Sequence, residues 1–126
     1  ASLGGEDHIV FNGPDEQFLG GRLMGAGAGI GGTYGAMPEL FLKLNQLIAE
    51  KDLETARALQ FAINGIIGAL TSAHGNMYGV IKEVLRINEG LELGSVRSPL
   101  SPVTEADQEV VQKAASLIRE VKERFL

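Results

Sequence analysis

Cysteine is absent from this 126-residue chain. That excludes disulfides and thiolate metal sites and fits a reducing compartment. Histidine is almost absent: His8 and His74 stand far apart and match no zinc spacing. Positive charge is the scarcer sign, with 11 Lys and Arg against 16 Asp and Glu and a net charge of -5. No basic cluster or aromatic–basic stripe breaks this average field, so nucleic acid is not an expected partner. The start, Ala1 to Asp7, lacks both a basic opening and a long apolar run, so a signal peptide is not expected there. No charged residue occurs between Arg57 and Lys82. A lipid-spanning helix needs about 20 predominantly apolar residues. This stretch is interrupted by Gln60, Asn64, Thr71, Ser72, His74 and Asn76 and by four glycines, and reads as two buried helices with a turn. No Ser–His–acid set, metal cluster or phosphate loop can be assembled, so the chain offers binding groups but no convincing nucleophile.

What is present has two textures. With 44% hydrophobic and 21% charged residues the composition is globular. Eleven of the 17 glycines fall in the first 35 residues, which predicts short strands and tight turns at the front and helices behind. His8-Ile9-Val10-Phe11-Asn12 is a short β-forming run stopped by Gly13-Pro14. Asp15 is placed to cap a following helix built on Phe18, Leu19 and Leu23, which Gly25 ends. Ala26 to Thr33 reads as a second short strand. Pro38 opens the next helix, Asp52 caps another, and a further one runs from about Met77 to Asn88. Residues 91–102 form a linker that Arg97-Ser98-Pro99 is expected to hold. Thr104 to Asp107 resembles a capping box before the last helix. Strands separated by helices are normally parallel. Two parallel strands do not make a stable sheet by themselves, so the front reads as a slice of a larger one.

Three features bear on chemistry. Asp15 and Glu16 follow directly on a strand's C-terminal end, where carboxylates can accept hydrogen bonds from sugar hydroxyls or, equally, serve the first turn of a helix. The glycine run from Gly25 to Gly35 contains G-x-G-x-x-G at Gly27, Gly29 and Gly32. The glycines occupy the strand position itself, with a helix before it, which argues against a dinucleotide loop and for close backbone approach. Thr33 and Tyr34 end that strand and offer either hydroxyls or packing. Tyr78 follows the His74-Gly75-Asn76 turn and either reaches a pocket mouth or staples the helix start. Lys82, beside Glu83 within a helix, reads as a solvated ion pair rather than a Schiff-base amine. Gly65 and Gly68 would allow close helix packing.

Phe11-Asn12-Gly13-Pro14-Asp15-Glu16 followed by Gly29-Ile30-Gly31-Gly32-Thr33-Tyr34, with Tyr78 to Leu85 and Arg97 to Val103, resembles the N-acetylneuraminate lyase branch of the dihydrodipicolinate synthase superfamily. The resemblance spans essentially the whole chain. It implies an α/β fold: the C-terminal part of a (β/α)8 TIM barrel, strands seven and eight, plus a C-terminal helical extension. Residues 1–50 would be the last two β/α units, and 51–126 the extension packing on the barrel. Such enzymes are class I aldolases in which a lysine forms a Schiff base with pyruvate and a tyrosine shuttles protons. They need no cofactor or metal, and are commonly oligomeric and cytoplasmic. Carried over, Gly13, Asp15 and Glu16 match positions that bind the substrate's hydroxylated tail. Gly31 and Gly32 match positions lining its reacting end, and Tyr78 falls loosely near an aromatic pocket position. The family often has serine where Gly32 stands. The Schiff-base lysine and the tyrosine belong to earlier strands, and none of Lys43, Lys51, Lys82, Lys113 or Lys122 matches.

The expectation is therefore a fragment of an aldolase that cleaves N-acetylneuraminate to pyruvate and N-acetylmannosamine. It would be active only with a complementary N-terminal chain supplying strands one to six, and inactive alone. Its partners would be that chain, a small-molecule 2-keto acid sugar and further copies of the assembled barrel, with no membrane. The alternatives are a superfamily lyase acting on another 2-keto acid, and a non-catalytic barrel fragment that self-associates through its open sheet edges.

Overall fold

A computed structural model describes residues 5–126 of the chain. Two strands, β1 (Phe11–Asn12) and β2 (Ala28–Gly29), lie side by side in parallel, with Phe11 opposite Ala28 and Asn12 opposite Gly29. Parallel strands need a crossover between them, and α1 (Phe18–Leu23) provides it. The ladder extends by one bond at each end, Gly27 N–H to the Val10 carbonyl at 2.9 Å and Ile30 N–H to the Asn12 carbonyl at 3.0 Å. Both strands are shorter than the sequence suggests, and the reason is local. Gly13-Pro14 and a 3-10 turn at Asp15–Gln17 carry the first strand away, so residues after Ile30 have no backbone partner on that side.

Among the described residues only one face of this pair is covered. A β-carbon added at Gly21 of α1 would overlap the Asn12 side chain, and one at Gly29 would stand 2.7 Å from the Phe18 ring. Asn12 and Gly29 therefore face the helices. By alternation Phe11 and Ile30 face the other way, and they are 52% and 66% exposed.

The helices that follow close their core far better. Pro38 opens α2 (Pro38–Ala49). Asp52 caps α3 (Leu53–Leu70) by accepting from Thr55 N–H at 3.1 Å. Asn76 does the same for α4 (Met77–Glu89) through Tyr78 N–H, and Gly90 ends that helix with φ +70. The expected capping box at Thr104 and Asp107 is present before α5 (Gln108–Phe125). Helical spacing brings Leu40 and Leu44 of α2, Leu59, Ile63, Ile66 and Leu70 of α3, Val80 and Val84 of α4 and Val111 and Ile118 of α5 into one buried cluster. Each such side chain contributes about 1.5–3 kcal/mol on burial.

Several local expectations are corrected. Gly65 and Gly68 are exposed, and a β-carbon at either would meet nothing within 4 Å, so neither glycine serves close packing among the described residues. Glu83 pairs with Arg86 at 2.9 Å, while Lys82 Nζ donates to the Ser95 carbonyl at 2.8 Å and so holds the 91–102 linker. Asn76 N–H to the Ser101 carbonyl and Leu91 N–H to the Leu85 carbonyl tie the linker as well. Among the described residues no helix is long and apolar enough to cross a membrane.

Candidate functional site

The C-terminal ends of β1 and β2 lie beside each other, so the chain after each strand forms one rim. From the first comes Gly13-Pro14-Asp15-Glu16, and from the second Gly31-Gly32-Thr33. The Asp15 carboxylate is the hinge between them. Its Oδ2 accepts from Thr33 N–H at 2.9 Å and from the Thr33 hydroxyl. Asp15 is 8% exposed and Thr33 2%. Asp15 does not cap its own turn, contrary to the simplest sequence expectation, because that turn has no side-chain cap at all. The carboxylate ties the two strand ends together instead. Gly31 makes this possible, since a β-carbon there would overlap the other Asp15 oxygen.

Gly32 is exposed at the end of β2, and its φ is not in the left-handed range, so backbone strain does not explain the glycine. An added β-carbon would stand 2.8 Å from the Tyr78 hydroxyl and 3.1 Å from its ring, contacts that a shift of this side chain would relieve. Tyr78, half exposed, thus leans over the rim from the first turn of α4. The turn that delivers it is held by Asp107, whose Oδ1 accepts from His74 N–H at 2.8 Å. Asp107 Oδ2 accepts from the N–H groups of Gly75 at 3.0 Å and Thr104 at 3.3 Å. The His74 N–H bond, aided by the other two, holds the Asp107 carboxyl below the usual aspartate range despite its burial.

Glu16 is exposed and enters no ion pair among the described residues, so its carboxylate is free to accept from a ligand. Its main chain is fixed: the Glu16 carbonyl accepts from Asn64 Nδ2 at 3.2 Å, and the Asp15 carbonyl from Gln60 Nε2 at 3.2 Å. Tyr34 does not join the rim. Its ring packs edge-on against Phe18 and tilted against Phe41 at 4.0 Å between centroids, behind the strands. Its hydroxyl is buried without a hydrogen-bond partner among the described residues, and burial first, then the Asp15 charge, holds it above the ordinary tyrosine value.

The structure thus gathers Gly13, Asp15, Glu16, Gly31, Gly32 and Tyr78 around two neighbouring strand ends. The lysines lie elsewhere: Lys122 is between Glu39 and Glu89, Lys82 is on the linker, and Lys43, Lys51 and Lys113 are on or beside helices. Sequence reasoning missed Thr33 as an anchor, Gln60 and Asn64 as ties to the rim, and Asp107 beyond its place in the capping box. The available signal was the i,i+4 spacing of two amides, Gln60 and Asn64, inside a charge-free helix.

Residues 2–118 match the Dihydrodipicolinate synthetase family. The chain belongs to that family. Within the dihydrodipicolinate synthetase family it is 56% identical over 122 residues to the N-acetylneuraminate lyase of Mediterraneibacter gnavus, covering 97% of this chain and 39% of the relative. It is 34% identical to N-acetylneuraminate lyase 2 of Escherichia coli O6:H1, over 92% of this chain and 37% of that protein. Among solved structures it superposes on wild-type Ruminococcus gnavus sialic acid aldolase with a TM-score of 0.98 and 54% identity. That match covers 99% of this chain and 42% of the aldolase. A catalytic lysine mutant of the same aldolase matches equally well. The chain therefore spans about two fifths of the length of the relatives it matches.

Proposed function

We propose that this chain is the rim-bearing part of a class I aldolase barrel that cleaves N-acetylneuraminate to pyruvate and N-acetylmannosamine. It would do so together with the segment that supplies strands one to six. On this reading β1 and β2 are the seventh and eighth strands, and residues 1–50 are the last two β/α units. Residues 51–126 are then the helical extension. The observation that carries the reading is the pairing of a bare apolar sheet face, Phe11 and Ile30, with a polar rim at the strands' C-terminal ends. A barrel interior needs the first, and its active-site face needs the second. A groove of about 520 Å³ between α1 and α3, where Met24 and Phe61 are 85% and 67% exposed, fits a further barrel helix. Likeness to proteins named as sialic acid aldolases supports the substrate.

In the assembled barrel Glu16, Gly13 and the remaining Asp15 oxygen hold the hydroxylated tail. Gly31 and Gly32 leave room at the reacting end, and Tyr78 closes the mouth. The amine that attacks the ketone comes from the other segment, as a carbinolamine needs a lysine at a strand end. The chain alone is then inactive. The assembled barrel is cytoplasmic, oligomeric and free of cofactor. Gly32 favours one second reading, a different 2-keto sugar acid, because the hydroxyl common at this position in the family is missing.

The test is to assemble the chain with its complementary segment and measure pyruvate release from N-acetylneuraminate and other 2-keto acids. Release from N-acetylneuraminate by the assembly, and none by the chain alone, is expected. A folded assembly that releases pyruvate from none of them overturns the lyase reading. A homo-oligomer of this chain that excludes the second segment favours the non-catalytic alternative.

A further inference from the structure

We propose that Gln60 and Asn64 of α3 are positioning residues that set the placement of the Glu16 carboxylate, an inference that rests on the lyase reading above. The turn bearing Asp15 and Glu16 cannot fix itself. Pro14, at its start, gives no side-chain cap, and α1, which continues it, has none either. Helix starts without caps leave amide donors unsatisfied. Here one acceptor for such a donor, and two donors for the turn's carbonyls, come from 41 to 48 residues downstream. Gln60 Oε1 accepts from Leu19 N–H at 2.9 Å. Gln60 Nε2 donates to the Asp15 carbonyl at 3.2 Å and to Asn64 Oδ1 at 2.9 Å, and Asn64 Nδ2 donates to the Glu16 carbonyl at 3.2 Å.

Gln60 is 6% exposed, and both ends of its amide are paired. A buried amide is costly unless satisfied, and once satisfied it fixes geometry. Every one of these contacts outside α3 goes to main chain, so the two amides grip the turn and leave the Glu16 carboxylate free. From the opposite side Thr33 grips Asp15 by its side chain. The turn is clamped between the end of β2 and α3, and only the second jaw reaches Glu16. On this account α3 sets how the substrate tail is held while leaving the reacting end untouched.

The experiment uses the assembled barrel and two readouts. Borohydride trapping with pyruvate alone reports the Schiff-base end, and the KM for N-acetylneuraminate reports the tail. Gln60→Met keeps the volume but loses the amide. Asn64→Ala removes the bond to Glu16 from a partly exposed site and guards against misfolding of the first variant. Each is expected to raise KM about tenfold, the scale of a small misplacement of a binding group, with pyruvate trapping unchanged. In a Glu16→Gln background Asn64→Ala is expected to add almost nothing, because its bond goes to the residue that bears that carboxylate. Unchanged KM, trapping that falls in parallel, or an Asn64→Ala effect that adds fully to Glu16→Gln each overturn the inference. A wild-type assembly that neither traps pyruvate nor cleaves the sugar acid overturns the lyase reading and this inference together. Wild-type turnover with unmoved variants overturns this inference alone.

Discussion

The front and back of this chain solve burial differently. Behind residue 37, four helices bury Leu40, Leu44, Ile63, Leu70, Val84 and Ile118 with no exposure. Ahead of it, the two-stranded sheet has one face against α1 and the other bare. The helical part builds most of its core from its own residues, with Phe18 and Ala36 added from the front, whereas the sheet supplies half a core and a set of polar ties. Local apolar periodicity suffices for the first. The second has meaning only beside further strands, which fits a chain two fifths the length of its relatives.

The sharpest way to break this contrast is a pair of truncations. Ile63→Ala should cost about 2–5 kcal/mol of unfolding free energy, as for other large-to-small core changes. Ile30→Ala, at a 66% exposed position, should cost less than about 0.5 kcal/mol in the chain alone. It should become as costly as Ile63→Ala once the complementary segment is bound. Urea titrations of both variants with and without that segment decide it, and equal costs in the isolated chain would erase the distinction. Next in size, Thr33→Val removes a buried hydroxyl that donates to a carboxylate and should cost about 1.5–3 kcal/mol. Thr33→Ser should recover most of it by the same measurement.

Asp107 sharpens the comparison through pH. Its folded pKa lies below its unfolded value. The stability it provides is therefore complete above the ordinary aspartate pKa of about 3.9 and is lost as pH falls through the folded value. Asp107→Asn should be less stable at neutral pH and lose less stability on acidification than the wild type, followed by circular dichroism across an acid series. The smallest effect belongs to the surface. Glu83→Gln breaks the exposed pair with Arg86 and should change stability by no more than about 0.5 kcal/mol, as read in the same urea titrations.

How far the sequence could be read follows the same division. Helices α2 to α5 were visible because apolar spacing, Pro38, Asp52 and the Thr104–Asp107 box are local signals. The rim was visible through Asp15, Glu16, Gly31 and Gly32, but their relations were not. That Asp15 turns to Thr33 depends on where β2 ends relative to β1, a matter of register across 18 residues. Gln60 looked like an interruption in an apolar stretch, and its partners 41 and 45 residues away carry no periodicity that would reveal it. Strand length failed for a related reason: His8 to Asn12 has the composition of a strand, but a ladder exists only where a neighbour runs alongside.

The close fit between Gly31 and the Asp15 carboxylate restricts how this rim can be varied. Any residue larger than glycine at 31 must evict the acid at 15, which unfastens Thr33 in turn. Saturation libraries that vary either site singly would consist mostly of variants with a sprung latch. Useful diversity needs position 15 to shrink and the Tyr34 ring, 2.6 Å from an added β-carbon at 31, to yield as position 31 grows.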